Sequence, residues 1–353
     1  MQLSARYATF CRQKPLDTQD PSSYTFAVKK HGLINQFNQS NSTKYDVLKR
    51  INRAIDYIRD HYCEDLDLET LAKIACFSKY HFHRIFRNHT GETVNEFIRH
   101  IRMEKAMRIL GLDRSKSITE IALDCGFSSS QNFAKAFKSY FGVSPSRIRE
   151  EYNWNKITNI GEYIESLSQK EFLPRTAYFR KNGDTWTRKV LEQRESIQAK
   201  VIDMPSFHVA YIRIMGYDSH AGDQAFATLF QWASARGFID ENTMLIGVGW
   251  NDTLVTPIEK CIFDACITVP FHVRSEEPVH IQNLPGGKCA VHHCTKETHD
   301  IPEAWTRFII EWVLPSGYRP DDQRPGFEIY YNDYKKHPLQ HLILDLCLPI
   351  KPS

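Results

Sequence analysis

Three sets of side chains in this 353-residue chain have the chemistry to hold a charged partner. The first is Tyr80, His83, Arg84 and Arg87, and the second is Gln131, Asn132, Lys135 and Lys138. Arginine, lysine, glutamine and asparagine carry the donors and acceptors that pair with guanine and adenine edges in a DNA major groove. Cationic side chains also neutralise phosphates, which adds affinity without sequence choice, and Lys79, Lys138, Arg147 and Arg149 suit that role. The third set centres on Glu328 in the run GFEIYY. In a strand, Glu328 and Tyr330 share one face while Phe327 and Ile329 share the other. A carboxylate beside aromatic rings suits a desolvated organic cation, through charge and cation-π attraction. Tyr211, Trp250 and Trp305 are further candidate walls of such a pocket. The plainer alternative is a glutamate paired with a local arginine or tyrosine hydroxyl.

Cys289, His292, His293, Cys294 and His299 are of metal-ligand type, but strand alternation sends His292 and Cys294 to the face opposite His293, and no CxxC pair accompanies them. Neither a metal nor a cofactor is expected. Cys266 and Cys347 lie in buried-looking strands, where a thiol serves as a small hydrophobe.

The elements that position these residues start from composition. Hydrophobic residues make up 42% and charged residues 25%, ordinary values for a globular protein. No stretch approaches the roughly 18 consecutive apolar residues of a membrane helix, so a membrane is not an expected partner. The start, MQLSARYATFCRQKP, lacks the apolar core of a secretory signal, and the nine scattered cysteines fit reduced thiols in a cytoplasm. The length predicts two compact domains. Their charges differ: residues 45–150 hold 18 Lys and Arg against 14 Asp and Glu, whereas residues 196–353 hold 13 against 19. The first region suits a polyanion and the second a cation.

Residues 1–44 are polar and rich in breakers, which predicts a poorly ordered leader. Val47, Leu48, Ile51, Ile55 and Ile58 then recur at helical spacing. The segment LETLAKIACFSKYHFHRIF aligns with ITEIALDCGFSSSQNFAKAF, about 50 residues later, so that Leu71 matches Ile121, Ala72 matches Ala122 and Phe77 matches Phe127. With one added residue in the second copy, Phe82 matches Phe133 and Phe86 matches Phe137. Each copy reads as a short helix, a turn and a second helix opened by serine, which is helix-turn-helix grammar. Ser117 and Glu120 form a capping-box pattern, and Gly126 suits a left-handed turn residue. Cys76 stands at the equivalent place in the first copy, so that turn either takes another shape or carries a penalty of about 1 kcal/mol. Between the copies, TVNEFIRHIRMEKAMRILG predicts a long connecting helix that fixes their spacing.

The segment from Leu68 to Glu150, with IACFSKYHFHRIFRNHTG and IALDCGFSSSQNFAKAFKSYFGVSPSRIRE, resembles the AraC/XylS family DNA-binding domain. The resemblance implies seven helices over residues 45–150, with two recognition helices in successive major grooves. It also implies base contacts from Tyr80, His83, Arg84, Gln131, Asn132 and Lys135. A connector is expected over residues 151–195. From residue 196 a second duplication appears, with a period of about 80 residues. Ala210 matches Ala290, Trp232 matches Trp312, Asn251-Asp252 matches Asn332-Asp333, and Asp264 matches Asp345. The Glu328 position corresponds to Gly247. Two pseudo-symmetric β-α-β-β halves forming an α+β domain are expected over residues 196–353. TPIEKCIFDACITVP, LPGGKCAVHHC, AWTRFIIEWVLPSGY and FEIYYND resemble the GyrI-like effector-binding domain.

This order of domains is the Rob-type layout, found in many multidrug-responsive regulators. It implies a cytoplasmic, nucleoid-associated regulator and not an enzyme, from a family that mostly activates. Its implied partners are double-stranded promoter DNA, RNA polymerase and an amphipathic, often cationic small molecule. The alternatives are a GyrI-like hydrolase using Glu328 with Tyr330 or Tyr331, and a gyrase-interacting module tethered to DNA.

Overall fold

The computed structural model describes residues 40–113, 115–151, 196–216, 219–252 and 256–352. The leader expected over 1–44 and the connector over 151–195 lie outside these residues, except that 40–44 open the first helix and Glu151 ends another.

Seven helices form the first described region: α1 (Ser40–Asp60), α2 (Leu68–Ile74), α3 (Lys79–Thr90), α4 (Val94–Leu112), α5 (Ile118–Asp124), α6 (Ser130–Phe141) and α7 (Pro145–Glu151). The helix-turn-helix pairs are α2–α3 and α5–α6. Each starts on a side-chain cap. Asp67 accepts the N–H groups of Glu69 and Thr70 at 2.7 and 2.9 Å, and Ser117 and Glu120 make the reciprocal capping box. Thr93 and Glu96 make another at the start of α4. The turn after α2 passes through Cys76 at φ 53° and that after α5 through Gly126 at φ 76°. Cys76 thus takes the left-handed conformation at a cost of about 1 kcal/mol, and the two turns share one shape. At Gly126 a Cβ would come within 2.7 Å of the Cys63 carbonyl oxygen, so only glycine fits.

The cores explain why the units hold their spacing. Phe82 and Phe86 are fully buried in the first unit, Phe133 and Phe137 in the second. Each contributes on the order of 1.5–3 kcal/mol of burial. Helix α4 belongs to both cores: Val94, Phe97, Ile98 and Ile101 pack with the first, Met103, Ala106, Met107 and Leu110 with the second. A helix shared in this way is a spine.

The second described region contains β1 (Lys200–Met204), β2 (Phe207–Met215), α8 (Ser219–Ser234), β3 (Leu245–Gly249) and β4 (Ile262–Thr268). There follow β5 (His280–Leu284), β6 (Gly287–Lys296), α9 (Ile301–Arg307) with a π-helical continuation over Phe308–Val313, β7 (Tyr318–Pro320), β8 (Phe327–Tyr330) and β9 (Leu342–Pro352). One antiparallel sheet runs β1-β6-β9-β8-β3-β4-β2-β5, with β7 beside β9. The order is symmetric about the β8–β3 seam, where the two β-α-β-β halves meet. Each half is preceded by a short strand that pairs with the other half: β1 lies on β6, and β5 on β2. At the seam Gly247 is the register partner of Glu328, so these two equivalent positions face each other across the pseudo-dyad.

Alternation gives the sheet two distinct faces. Helix α8 covers Ala210, Ala265 and Ile267, and α9 covers Ala290, Leu344 and Leu346. The opposite face carries Ile246, Val248, Cys266, Phe327 and Ile329. Among the described residues no helix is long and apolar enough to cross a membrane.

Candidate functional site

Burying Phe82 and Phe86 turns the other side of α3 outward. Tyr80 is 80% exposed, Arg84 and Arg87 are exposed, and His83 is half-buried. Helix α6 does the same with Gln131, Asn132, Lys135 and Lys138, all exposed. Arg84, Arg87, Lys135 and Lys138 form no ion pair among the described residues, so these cations are available to an anionic partner. Asn132 is partly engaged. Its amide nitrogen donates to Ser128 Oγ at 2.9 Å, and its backbone N–H donates to Ser129 Oγ at 3.2 Å as part of the α6 cap. Arg149 is not a free phosphate clamp, because its guanidinium donates to the carbonyls of Lys116 and Asp113 and ties α7 to the loop before α5. Tyr140 sits at the rim of the second unit, 36% exposed, with its ring 6.3 Å from that of His100.

The second site lies under the two helices of the sheet domain. Trp305 on α9 donates its indole N–H to Glu328 Oε1 at 2.7 Å, and the Tyr330 hydroxyl donates to Glu328 Oε2 at 2.5 Å. Phe226 on α8 stands edge-on to Tyr330 at 5.5 Å and near Phe263 on β4 at 6.3 Å. Two helices and two strands thus enclose one carboxylate in aromatic rings. Glycine at 247 is what admits the cluster, since a Cβ there would lie 2.4 Å from the Tyr330 hydroxyl and 2.8 Å from the Phe263 ring.

Glu328 is half-buried. Burial dominates its titration and lifts its carboxyl above the usual range, against the two hydrogen bonds that favour the anion. No Lys, Arg or His pairs with it among the described residues. The arrangement is a desolvated carboxyl group with neutral donors and aromatic walls.

Of the five residues proposed for this pocket, Glu328, Tyr330 and Trp305 come together. Trp250 and Tyr211 do not, because both belong to the opposite face. There the Trp250 indole N–H donates to Asp264 Oδ2 at 2.7 Å, and the Arg59 guanidinium lies 3.9 Å above the Trp250 ring. Tyr211 packs 5.4 Å from His280 and 5.3 Å from the Arg213 guanidinium. Tyr331 is likewise on that face and donates to Asp345 Oδ2 at 2.7 Å, so it cannot act with Glu328. Phe226 and Phe263 were absent from the sequence-based set. The signal for them was indirect: an amphipathic helix and a residue of the neighbouring strand, opposite Gly249, whose ring reaches Gly247 only because of the sheet order.

The histidines and cysteines of β6 are divided by the sheet. His293 is hydrogen-bonded to Asp345 Oδ1 at 2.6 Å on one face, while His292 lies on the other with its Nδ1 2.7 Å from the Gln198 carbonyl.

A family model described as a helix-turn-helix domain matches residues 71–151, and one described as a GyrI-like small molecule binding domain matches residues 198–351. The probable transcription factor PqrA of Proteus vulgaris is 37% identical over 87 residues, covering 25% of this chain and 70% of that protein. The HTH-type transcriptional activator RhaS of Enterobacter sp. (strain 638) is 34% identical over 101 residues, 29% of this chain and 36% of that one. The chain therefore spans about a third of the length of that activator. Among solved structures, the C-terminal domain of AraT, a response regulator from Geobacillus stearothermophilus, is 34% identical, covering 29% of this chain and 84% of that one with a TM-score of 0.28. By these matches the chain belongs to the AraC-type family of helix-turn-helix proteins and joins that domain to a GyrI-like small molecule binding domain.

Proposed function

We propose that this chain is a sequence-specific, ligand-responsive transcription regulator, acting as an activator in the cytoplasm at the nucleoid. It binds double-stranded promoter DNA through α3 and α6, engages RNA polymerase, and holds an amphipathic organic cation at Glu328. The family membership and the two outward cationic faces support the DNA half. The observation that carries the ligand half is the Glu328 carboxylate, desolvated, ringed by Trp305, Tyr330, Phe226 and Phe263, and supplied, among the described residues, only with neutral hydrogen-bond donors. A delocalised cation supplies the missing charge and stacks on the rings.

Two measurements test the two halves. Binding of the cationic dye rhodamine 6G, followed by calorimetry, is expected to weaken at least about tenfold in Glu328→Gln, with DNA affinity in the absence of dye unchanged. Equal dye binding by both proteins removes the ligand reading. Arg84→Ala and Lys135→Ala are each expected to cost about 1–3 kcal/mol in binding to a selected duplex. Unaltered discrimination between that duplex and random DNA in both variants removes the base-reading assignment.

A second reading draws on the Tyr330–Glu328 pair, which has the geometry of an acid/base couple at 2.5 Å. Turnover of a p-nitrophenyl ester that disappears in Tyr330→Phe would favour a hydrolase, and its absence in the wild type leaves the regulator reading in place.

A further inference from the structure

The sheet domain grips the DNA-binding domain from behind, on α1 and α4, and leaves α3 and α6 uncovered. The grip has two hands. From the first half, Asn251 Nδ2 and Thr256 Oγ1 each donate to Glu104 Oε2 at 2.8 Å, and the Asp252 N–H donates to Oε1 at 2.9 Å. Thr256 also meets His100 Nε2 at 3.0 Å, and Lys260 pairs with Glu92 just before α4. From the second half, Asp322 pairs with Arg108 at 2.7 Å and accepts Lys105 on its carbonyl at 3.2 Å, while Arg319 pairs with Asp113 at the end of α4.

The apolar contacts divide in the same way. Ile262 is buried in the core of the first helix-turn-helix unit, with Met215 and Trp250 packed against it. Ile310, from the π-helical turn of the second half, packs against the core of the second unit. Each half of the sheet domain therefore packs its apolar contact on one reading unit, while the polar contacts of the first half run from Glu92 to Glu104 in the middle of α4. The halves join at the β3–β8 seam through Leu245–Tyr330, Ile246–Ile329, Gly247–Glu328 and Val248–Phe327.

We infer that the sheet domain is a caliper on the DNA reader: Lys260 and Ile262 on one hand, and Arg319 and Asp322 on the other, hold the relative setting of α3 and α6 and so select the spacing of the half-sites. This rests on the reading of α3 and α6 as DNA-reading helices. Helix α4, 19 residues and about 28 Å long, sets the distance between the units. Contacts from one sheet along that helix add a hold on the angle between them. The carboxylate of the ligand site lies at the joint between the two hands, where a small change in seam geometry is carried to both.

The experiment uses the full chain. A duplex is first selected from random DNA by the wild-type protein, and variants of it with one base pair added or removed between the half-sites are then titrated. The wild type is expected to lose about tenfold or more in affinity on either change, since each moves a recognition helix off its bases. Lys260→Ala combined with Asp322→Ala is expected to shrink that discrimination to about threefold or less while retaining most affinity for the parent duplex. If this variant does not fold, Lys260→Met with Asp322→Asn is read in the same way. Selection of a duplex followed by undiminished spacing discrimination in the folded variant overturns the caliper alone. Failure of the wild type to select any duplex overturns the DNA reading and the caliper together.

Discussion

Two carboxylates of the sheet domain, the fully buried Asp264 on one face and the half-buried Glu328 on the other, have surroundings opposite in kind. Asp264 is fully buried and receives Nε and Nη2 of Arg213 at 2.7 and 2.8 Å, with the Trp250 indole and Gln282 amide completing its shell. The third guanidinium nitrogen crosses to Asp56 on α1 at 2.6 Å. Burial alone would lower the Arg213 pKa, but Asp264 and Asp56 raise it further, so the guanidinium stays charged. Among the described residues Glu328 receives only an indole and a phenol. A carboxylate neutralised by an internal cation is joinery; one left without a cation is what the proposed ligand site requires. The duplication sharpens the contrast, because the counterpart of the Asp264 group in the second half is Asp345 with His293 and Tyr331, and His293 is 37% exposed.

The largest expected effect breaks the internally neutralised site. Arg213→Met strands Asp264 without its cation in the interior and removes a link to α1, so a loss of about 3–5 kcal/mol in urea denaturation is expected. The matching change in the other half, His293→Ala, removes a partly exposed partner and leaves the buried Asp345 with Tyr331, so a smaller loss of about 1–3 kcal/mol is expected. Comparable losses from the two would show that the halves are not specialised as described.

Gly247→Ala acts at the proposed ligand site. The added methyl meets the Tyr330 hydroxyl and the Phe263 ring, and forcing them aside is expected to cost about 1–3 kcal/mol. Rhodamine 6G binding should fall with it, because the same shift displaces a donor of Glu328. Full stability together with full dye binding would place the ligand elsewhere, for instance in the cleft of about 220 Å³ lined by Gly91, Glu92, Glu96, Arg99, Tyr140 and Lys260.

Much of this architecture was legible because it is written locally. The paired Phe82–Phe86 and Phe133–Phe137 spacings, the Ser117–Glu120 cap and the matched turn positions each occupy a few consecutive residues, and the doubled helix-turn-helix followed from them. The aromatic cluster was legible only in part. Glu328 and Tyr330 share a face by simple alternation, but Trp250 lies three positions after Gly247, and an odd offset in extended chain puts it on the other face. Tyr211 and Phe263 could be assigned only with the strand order, which places β4 between β2 and β3. The short strands β1 and β5 escaped notice because each pairs with the opposite half. The grip on α4 left no sequence signal, since Glu104 and Asn251 are ordinary surface residue types whose meeting depends on how two domains pack.

The smallest expected effect on stability is also the most diagnostic, because its sign depends on the missing cation. Glu328 has an ordinary carboxyl value of 4.5 when unfolded and a higher one when folded. At pH below the unfolded value both states are protonated and ionisation adds no penalty. Above the folded value the native state bears the full cost of a desolvated anion. Wild-type stability relative to Glu328→Gln should therefore increase as pH falls through the interval from the raised folded value toward 4.5. Matched urea titrations between about pH 8 and pH 5 measure that difference directly. A bound cation reverses the balance by favouring the anion, so rhodamine 6G should bind more tightly as pH rises through the same interval and release protons on binding. A stability difference that is flat with pH, or that runs the other way, would mean that Glu328 has a cationic partner in the folded protein and belongs with Asp264 among the internally neutralised carboxylates.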